Sequence, residues 1–328
     1  MAERFIIDQL DDAVTALLAN SEPVVSEADR ELTELIEVAR ELRGLPSEQF
    51  RVALKEQLGG KDDMSTASSQ IESTPPSKST TFKREGFHTV TPYLIVKPAV
   101  ELVDFVKEAF GAVESFRATG SAGGLHCEVK IGDSVTMIGG GEGFDPRTAA
   151  IHLYVSNVDE VYDRAVAAGA TSLLAPSDQD YGERVAGVKD IGGNEWYIAK
   201  PFDSTPVQDL HTVTVYFHPV GTPKFINFLE RAFGAEVVER HQSDEGFVYH
   251  AKLRVGDSIM EMGEAHDQWQ PMQSAIYMYV EDVDATYQQA LAAGATSALE
   301  PTDQPYGDRS AWVNDEFGNI WYLSTWKG

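Results

Sequence analysis

From His88 to the C-terminus, runs of alternating apolar and polar residues are interrupted by stretches with apolar residues every three or four positions, and the whole pattern then runs a second time. In the first copy the alternation predicts strands at Val90–Val96, Val113–Arg117, Leu125–Ile131 and Ser134–Ile138. A helix is predicted over Pro98–Ala109, where Val100, Val103, Phe105 and Val106 form a stripe that stops at Gly111. A second set follows: a strand from Ile151 to Val155, a helix from Val158 to Gly169, and strands at Ser172–Leu174, Val185–Lys189 and Trp196–Ala199. Each set reads βαβββ. The second copy repeats the landmarks: His88-Thr89-Val90-Thr91 returns as His211-Thr212-Val213-Thr214, Gly132-Asp133-Ser134 as Gly256-Asp257-Ser258, and AAGATS at 167–172 as AAGATS at 292–297. The expected organisation is therefore two repeats, 88–202 and 211–328, joined by a short connection from Asp203 to Leu210.

The first 58 residues carry a helical period instead. Phe5, Ile6, Leu10, Val14, Leu17 and Leu18 share one face, Leu32, Leu35, Ile36, Ala39 and Leu42 another, and Phe50, Leu54 and Leu58 a third. Three short helices enclose little core, so this unit is expected to dock on a protein partner, a second copy or the rest of the chain. Residues 59–87, rich in Ser, Thr, Gly and Pro without an apolar period, are expected to be a poorly ordered linker.

A formal net charge of −26, from 52 acidic and 26 basic residues, argues against a nucleic-acid or anionic-membrane partner, since both need a basic face. Cys127 is the single cysteine, so no internal disulfide is possible. No secretory leader or bilayer-length apolar run is evident, and a cytoplasmic location is the expectation.

The segments TPYLIV, KEAFGA, HCEVKIGDSVTMI, IHLYVSNVDEVYDRAVAAGA and DQDYGERVAGVKDIGGNEW, with their second copies, resemble the vicinal oxygen chelate superfamily of glyoxalases, bleomycin-resistance proteins and extradiol dioxygenases, especially its PhnB-like branch. The resemblance implies an α+β fold of two tandem domains, each two βαβββ modules curling eight strands into a half-open barrel around a ligand. It also implies where metal-dependent members hold their ion: on the first, fourth, fifth and eighth strands. Those positions fall at Thr91, Met137 or its neighbour Ile138, Ala150 and Tyr197 in the first repeat and at Thr214, Glu261 or its neighbour, Ala275 and Tyr322 in the second. One carboxylate among eight is a poor set. No metal or other cofactor is expected.

Residues two apart on a strand share a face, which turns Thr91, Tyr93, Ile95, Ala150, His152, Tyr154 and Tyr197 into the first cup, and Thr214, Tyr216, His218, Glu261, Ala275, Tyr277, Tyr279 and Tyr322 into the second. Aromatic walls with polar tips suit a flat or amphipathic small molecule, and tyrosines that only fill a barrel are the competing reading. His218 and Glu261 replace Ile95 and Met137 of the first copy and form a candidate base and orienter. Arg184 and Arg309 are candidates to reach over the cup mouths toward an anionic ligand, with a surface salt bridge as the equal alternative. His126 and His250, on strands that also carry Glu128 or Lys252, read as solvent-side residues. The leading expectation is a metal-independent small-molecule binding protein. The alternatives are a lyase, isomerase or dioxygenase-type enzyme active in the second repeat, and a regulatory interaction protein acting through the N-terminal helices.

Overall fold

The structure, a computed structural model, describes residues 82–120, 123–203, 210–267 and 269–328. The expectations for the N-terminal helices, for most of the linker and for the joint after Asp203 fall outside these residues.

The element order is β1 (Val90–Val96), α1 (Ala99–Phe110), β2 (Val113–Thr119), β3 (Leu125–Ile131), β4 (Ser134–Gly140), β5 (Ala150–Tyr154), α2 (Val158–Ala167), β6 (Thr171–Asp178), β7 (Glu183–Lys189) and β8 (Glu195–Pro201). The same order then recurs as β9 (Val213–Phe217), α3 (Thr222–Phe233), β10 (Glu236–Gln242), β11 (Val248–Val255), β12 (Ser258–Met262), β13 (Ala275–Tyr279), α4 (Val283–Ala293), β14 (Thr296–Asp303), β15 (Asp308–Asn314) and β16 (Ile320–Trp326). This is an α+β fold of two eight-stranded sheets and, among the described residues, four helices.

Local chemistry explains the helix ends. α1 buries Leu102, Val103, Val106 and Phe110 and stops where Gly111 adopts φ 68°, a conformation that costs glycine little, so that its N–H reaches the Lys107 carbonyl. Asn157 and Asp282 cap α2 and α4, their side chains accepting from the Glu160 and Ala285 N–H groups. The two glycine turns before β8 and β16 are built around Asp190 and Asp315. The Asp190 carboxylate accepts from the Gly192 and Asn194 backbone, the Asn194 side chain and Trp196 Nε1 (2.8 Å), and Asp315 does the same for Phe317, Asn319 and Trp321. Both tryptophans are fully buried behind their sheets.

Sheet topology departs from the expectation that each repeat closes its own barrel. One sheet runs β14-β15-β16-β13-β1-β4-β3-β2 and the other β10-β11-β12-β9-β5-β8-β7-β6, so each combines four strands from each repeat. β1 pairs antiparallel with β13 through Thr91↔Tyr277, and β5 with β9 through His152↔Thr214. The apolar cores nevertheless stay largely within a repeat. α1 and α2 pack between the backs of β1, β3, β4, β5, β7 and β8, and a second cluster does the same around α3 and α4. Each repeat is thus a helix-filled sandwich, and each concave face is completed by the other repeat.

The Gly-Asp-Ser and His-Thr-Val-Thr words that recur in both repeats are the fastening. Asp133 accepts the Thr212 N–H (2.8 Å) and Ser134 Oγ the Val213 N–H (3.1 Å), while Asp257 and Ser258 receive Thr89 and Val90 at 2.7 and 3.0 Å. A Cβ on Gly132 or Gly256 would fall 2.3 or 2.4 Å from the threonine hydroxyl of the opposite repeat. At the same junction the His88 and His211 rings stack at 3.4 Å, and each donates from Nε2 to the carbonyl of Asp133 or Asp257.

The last residues of the expected linker are packed. Phe87 is buried, Arg84 pairs with Glu128, Lys83 pairs with Asp257, and the Phe82 carbonyl accepts the Trp326 N–H at 2.9 Å. Phe82 and Phe87 are apolar anchors that the surrounding Ser/Thr/Pro composition masked.

Candidate functional site

Because β5 meets β9, the cup walled by β5, β8, β9 and β12 draws His152, Tyr154 and Tyr197 from the first repeat and Tyr216, His218 and Glu261 from the second. Register places them together: Tyr216 lies beside Glu261 on the parallel β9–β12 pair and opposite Ala150, and His152 lies beside Tyr197 on β5–β8. The rings form a continuous lining, with His152 to Tyr216 at 5.0 Å, Tyr216 to His218 at 4.8 Å and Tyr197 to His218 at 6.1 Å. The cavity measures about 710 Å³, within the range of small-molecule sites. Gly263 makes room for one wall: a Cβ there would come within 2.9 Å of the Tyr216 hydroxyl.

Glu261 is wholly buried and ionised. Burial alone would raise its pKa, but the charge and hydrogen bond of His152, helped by His250, hold it well below the carboxylate range. Its Oε2 pairs with His152 Nδ1, and its Oε1 accepts the Tyr154 hydroxyl at 2.8 Å. His250 Nε2 and Lys252 Nζ stand 3.8 and 3.9 Å away. The carboxylate is therefore enclosed by donors. His218 is the opposite case: it is 5% exposed and neither ring nitrogen has a hydrogen-bond partner. Burial, with smaller contributions from His152 and His266, lowers its pKa to about 4, so the ring is neutral and offers one donor and one acceptor to the cavity. The phenols of Tyr197 and Tyr216 are held protonated, burial pushing both far above their ordinary value.

The remaining expected site residues are distributed differently. Tyr93, Tyr277, Tyr279 and Tyr322 line the other concave face, the β1/β13 cup, together with Met137. That cup is occupied by Phe82 and Phe87. Arg184 does not reach a cup mouth: it chelates Asp159 at 2.7 Å through Nε and Nη2 and bonds Asp178 through Nη1. Arg309 repeats this with Asp284 and Asp303. Each carboxylate partner sits in the first turn of α2 or α4 or on the neighbouring edge strand, so the guanidinium is fully engaged outside the cup. His250 and Lys252 line the β5/β9 cup instead of facing solvent, because a ligand cup is itself a polar surface. Tyr181, Tyr249, His266 and Trp269, in loops or on outer strands, also line it. Tyr181 stands in a Tyr-Gly-acid-Arg segment that recurs at Tyr306, a signal that could have found it.

A family model described as glyoxalase/bleomycin resistance protein/dioxygenase superfamily matches residues 221–323. An uncharacterised protein of Mycobacterium bovis is 35% identical over 125 residues, covering 34% of this chain and 82% of that protein. An uncharacterised Mycobacterium tuberculosis protein matches at the same identity, with 74% of its length covered. The chain belongs to the glyoxalase/bleomycin resistance protein/dioxygenase superfamily. Glyoxalase I from Zea mays is similar in fold, with a TM-score of 0.55 at 14% identity over 72% of this chain and 92% of that one. A putative dioxygenase from Bacillus subtilis gives 0.52 at 13% identity, over 76% and 87%.

With the strands crossed between repeats, the superfamily's metal positions in the β5/β9 cup become Ala150, Tyr197, Thr214 and Glu261, and in the β1/β13 cup Thr91, Met137, Ala275 and Tyr322. The first set holds one carboxylate, already paired with His152 and Tyr154. Neutral phenol and methyl groups complete it. Among the described residues the only trio of His, Cys, Asp or Glu with ligand atoms within 4.8 Å of one another is His88, Asp133 and His211, whose stacked rings belong to the junction between repeats. At the positions that the resemblance implies, each cup offers at most one carboxylate, too few donors for a metal centre of that pattern. Among the described residues no helix is long and apolar enough to cross a membrane.

Proposed function

We propose that this chain is a tandemly repeated, PhnB-like member of the superfamily, with repeats at 88–202 and 211–328, which binds a small organic ligand without a metal in the β5/β9 cup. His218 carries the reading. A neutral imidazole buried with both nitrogens unpartnered costs on the order of 1–3 kcal/mol per unsatisfied group, and here it faces a cavity walled by aromatic rings. A ligand with a hydrogen-bonding group beside a flat apolar body repays that cost: its polar group pairs with His218 while its body lies against Tyr197, Tyr216 and Trp269.

The ionisation states favour binding over proton transfer. An efficient general base titrates near the working pH, whereas His218 titrates at about 4 and Glu261 well below its ordinary value. Glu261 instead fixes His152 and Tyr154, and so shapes the floor of the cup. Calorimetric titration with a panel of aromatic antibiotics and glutathione adducts tests the proposal. A hit is expected to bind the wild-type chain saturably and to lose most of its affinity in His218→Phe, with Ile95→Ala in the other cup leaving it intact. Equal affinity for His218→Phe would refute the assignment.

A further inference from the structure

The β1/β13 cup is an aromatic enclosure with two buried carboxylates, and the guanidinium that chelates one of them comes from a segment outside its walls. Glu128, on β3, is 2% exposed, and Asp308, on β15, is also 2% exposed. Tyr277 and Tyr279 donate to Asp308 Oδ2, but Asp308 Oδ1 has no partner. Arg84 enters this enclosure from the residues preceding β1. Its Nη1 and Nη2 meet the two Glu128 oxygens at 2.6 and 3.0 Å, and its guanidinium lies 4.8 Å from the centre of the Phe87 ring, which in turn meets Tyr279 edge-on at 5.6 Å. Two bonds to one carboxylate plus an aromatic face are the recognition chemistry of a guanidinium, not of an ammonium.

The other cup shows that this charge arrangement is not required by the fold. At the positions matching Glu128 and Asp308 it carries Lys252 and Glu183, so its wall supplies its own cation. In the β1/β13 cup both wall positions are acidic; His126 Nε2, on the same strand, stands 3.7 Å from Glu128 Oε1, and Arg84 supplies the permanent charge and the two-point contact. The cation is held by a short arm: Glu85 and Gly86 are exposed, and beyond Arg84 and Phe87 the arm is tied by Lys83 to Asp257 and by the Trp326 N–H to the Phe82 carbonyl.

We propose that the β1/β13 cup is a second binding site, specific for small guanidino compounds, which the chain occupies with its own Arg84. The arm and the free ligand compete for Glu128, and an incoming guanidinium additionally meets the open oxygen of Asp308. The wild-type affinity is accordingly reduced by the fraction of molecules with the arm withdrawn.

The test is chemical rescue in the full-length chain. Arg84→Ala is expected to melt several degrees below wild type, and millimolar ethylguanidinium is expected to restore the loss saturably. Ethylammonium and sodium chloride at equal concentration should not. Wild type should bind ethylguanidinium about tenfold more weakly or worse, and Arg84→Ala with Glu128→Gln should show no rescue. If Arg84→Ala does not fold, Arg84→Gln, which keeps a donor toward Glu128, takes its place with the same expected rescue. Absence of saturable rescue in the folded variant, or equal rescue by ethylammonium, would overturn the proposal and leave Arg84 a structural ion-pair partner.

Discussion

His218 is a residue whose energetics and use point in opposite directions, and this makes it measurable. Its pKa of about 4 lies below the unfolded value of 6.5, so folding favours the neutral ring. A depressed histidine contributes stability that is complete above about pH 6.5 and is lost as the pH falls through about 4, up to about 3 kcal/mol for a fully buried ring. Chemical unfolding of wild type is therefore expected to weaken across that window more steeply than that of His218→Phe, which at neutral pH should match or exceed wild type because the unpartnered nitrogens are gone. Parallel pH profiles for the two would show that folding does not lower the pKa of the ring. Alternation from Tyr216 fixes the side that His218 faces, and register sets Glu261 beside Tyr216. Sequence pattern did not reveal that Glu261's partners are His152 and Tyr154, because those belong to the other repeat. It also turned His250 and Lys252 outward, because polar alternation on a strand looks the same whether the polar side meets water or a ligand.

At the scale of elements, boundaries were most legible where burial imposes a period. β1 and β3 match their expected spans to the residue, whereas β6, mostly exposed along its length, was foreseen only as Ser172–Leu174 of Thr171–Asp178. The repeated Gly-Asp-Ser turns were visible as words, but their function was not: each fastens the opening of the other repeat's first strand. Asp257 has a pKa lowered to about 2, and Asp133 is lowered further; burial works against both, and hydrogen bonds from Thr89, Lys83, Thr212, Ser134 and His211 prevail. Depressed carboxylates stabilise above their unfolded values, near 3.8, and lose that contribution as the pH falls through the folded ones. Asp133→Ala and Asp257→Ala are expected to lower the midpoint of denaturation at pH 7 and, together, to flatten the acid limb below pH 4. Gly132→Ala should also destabilise, through the clash with Thr212 and φ of 60°. Wild-type midpoints in all three would mean that the junction is held elsewhere.

Across the whole molecule, the internal repeat announced two copies of one architecture but left open which strands share a cup. Nothing in the alternation of β1 or β9 distinguishes β5 from β13 as a neighbour, because the two candidates are themselves repeats of each other. The crossed pairing has a functional consequence. It gives the chain two unlike cups, one open and lined by His152, Tyr216 and His218, the other filled by its own Phe82, Arg84 and Phe87. Each cup needs both repeats, so neither repeat alone presents a complete binding surface.

The central claim, a ligand held in the β5/β9 cup by side chains alone, is tested most directly by calorimetric titration of a panel hit into the full chain after exhaustive chelation. The expected result is one binding event per chain with unchanged affinity after chelation, lost in His218→Phe. Binding that disappears on chelation and returns with a divalent transition metal would contradict it.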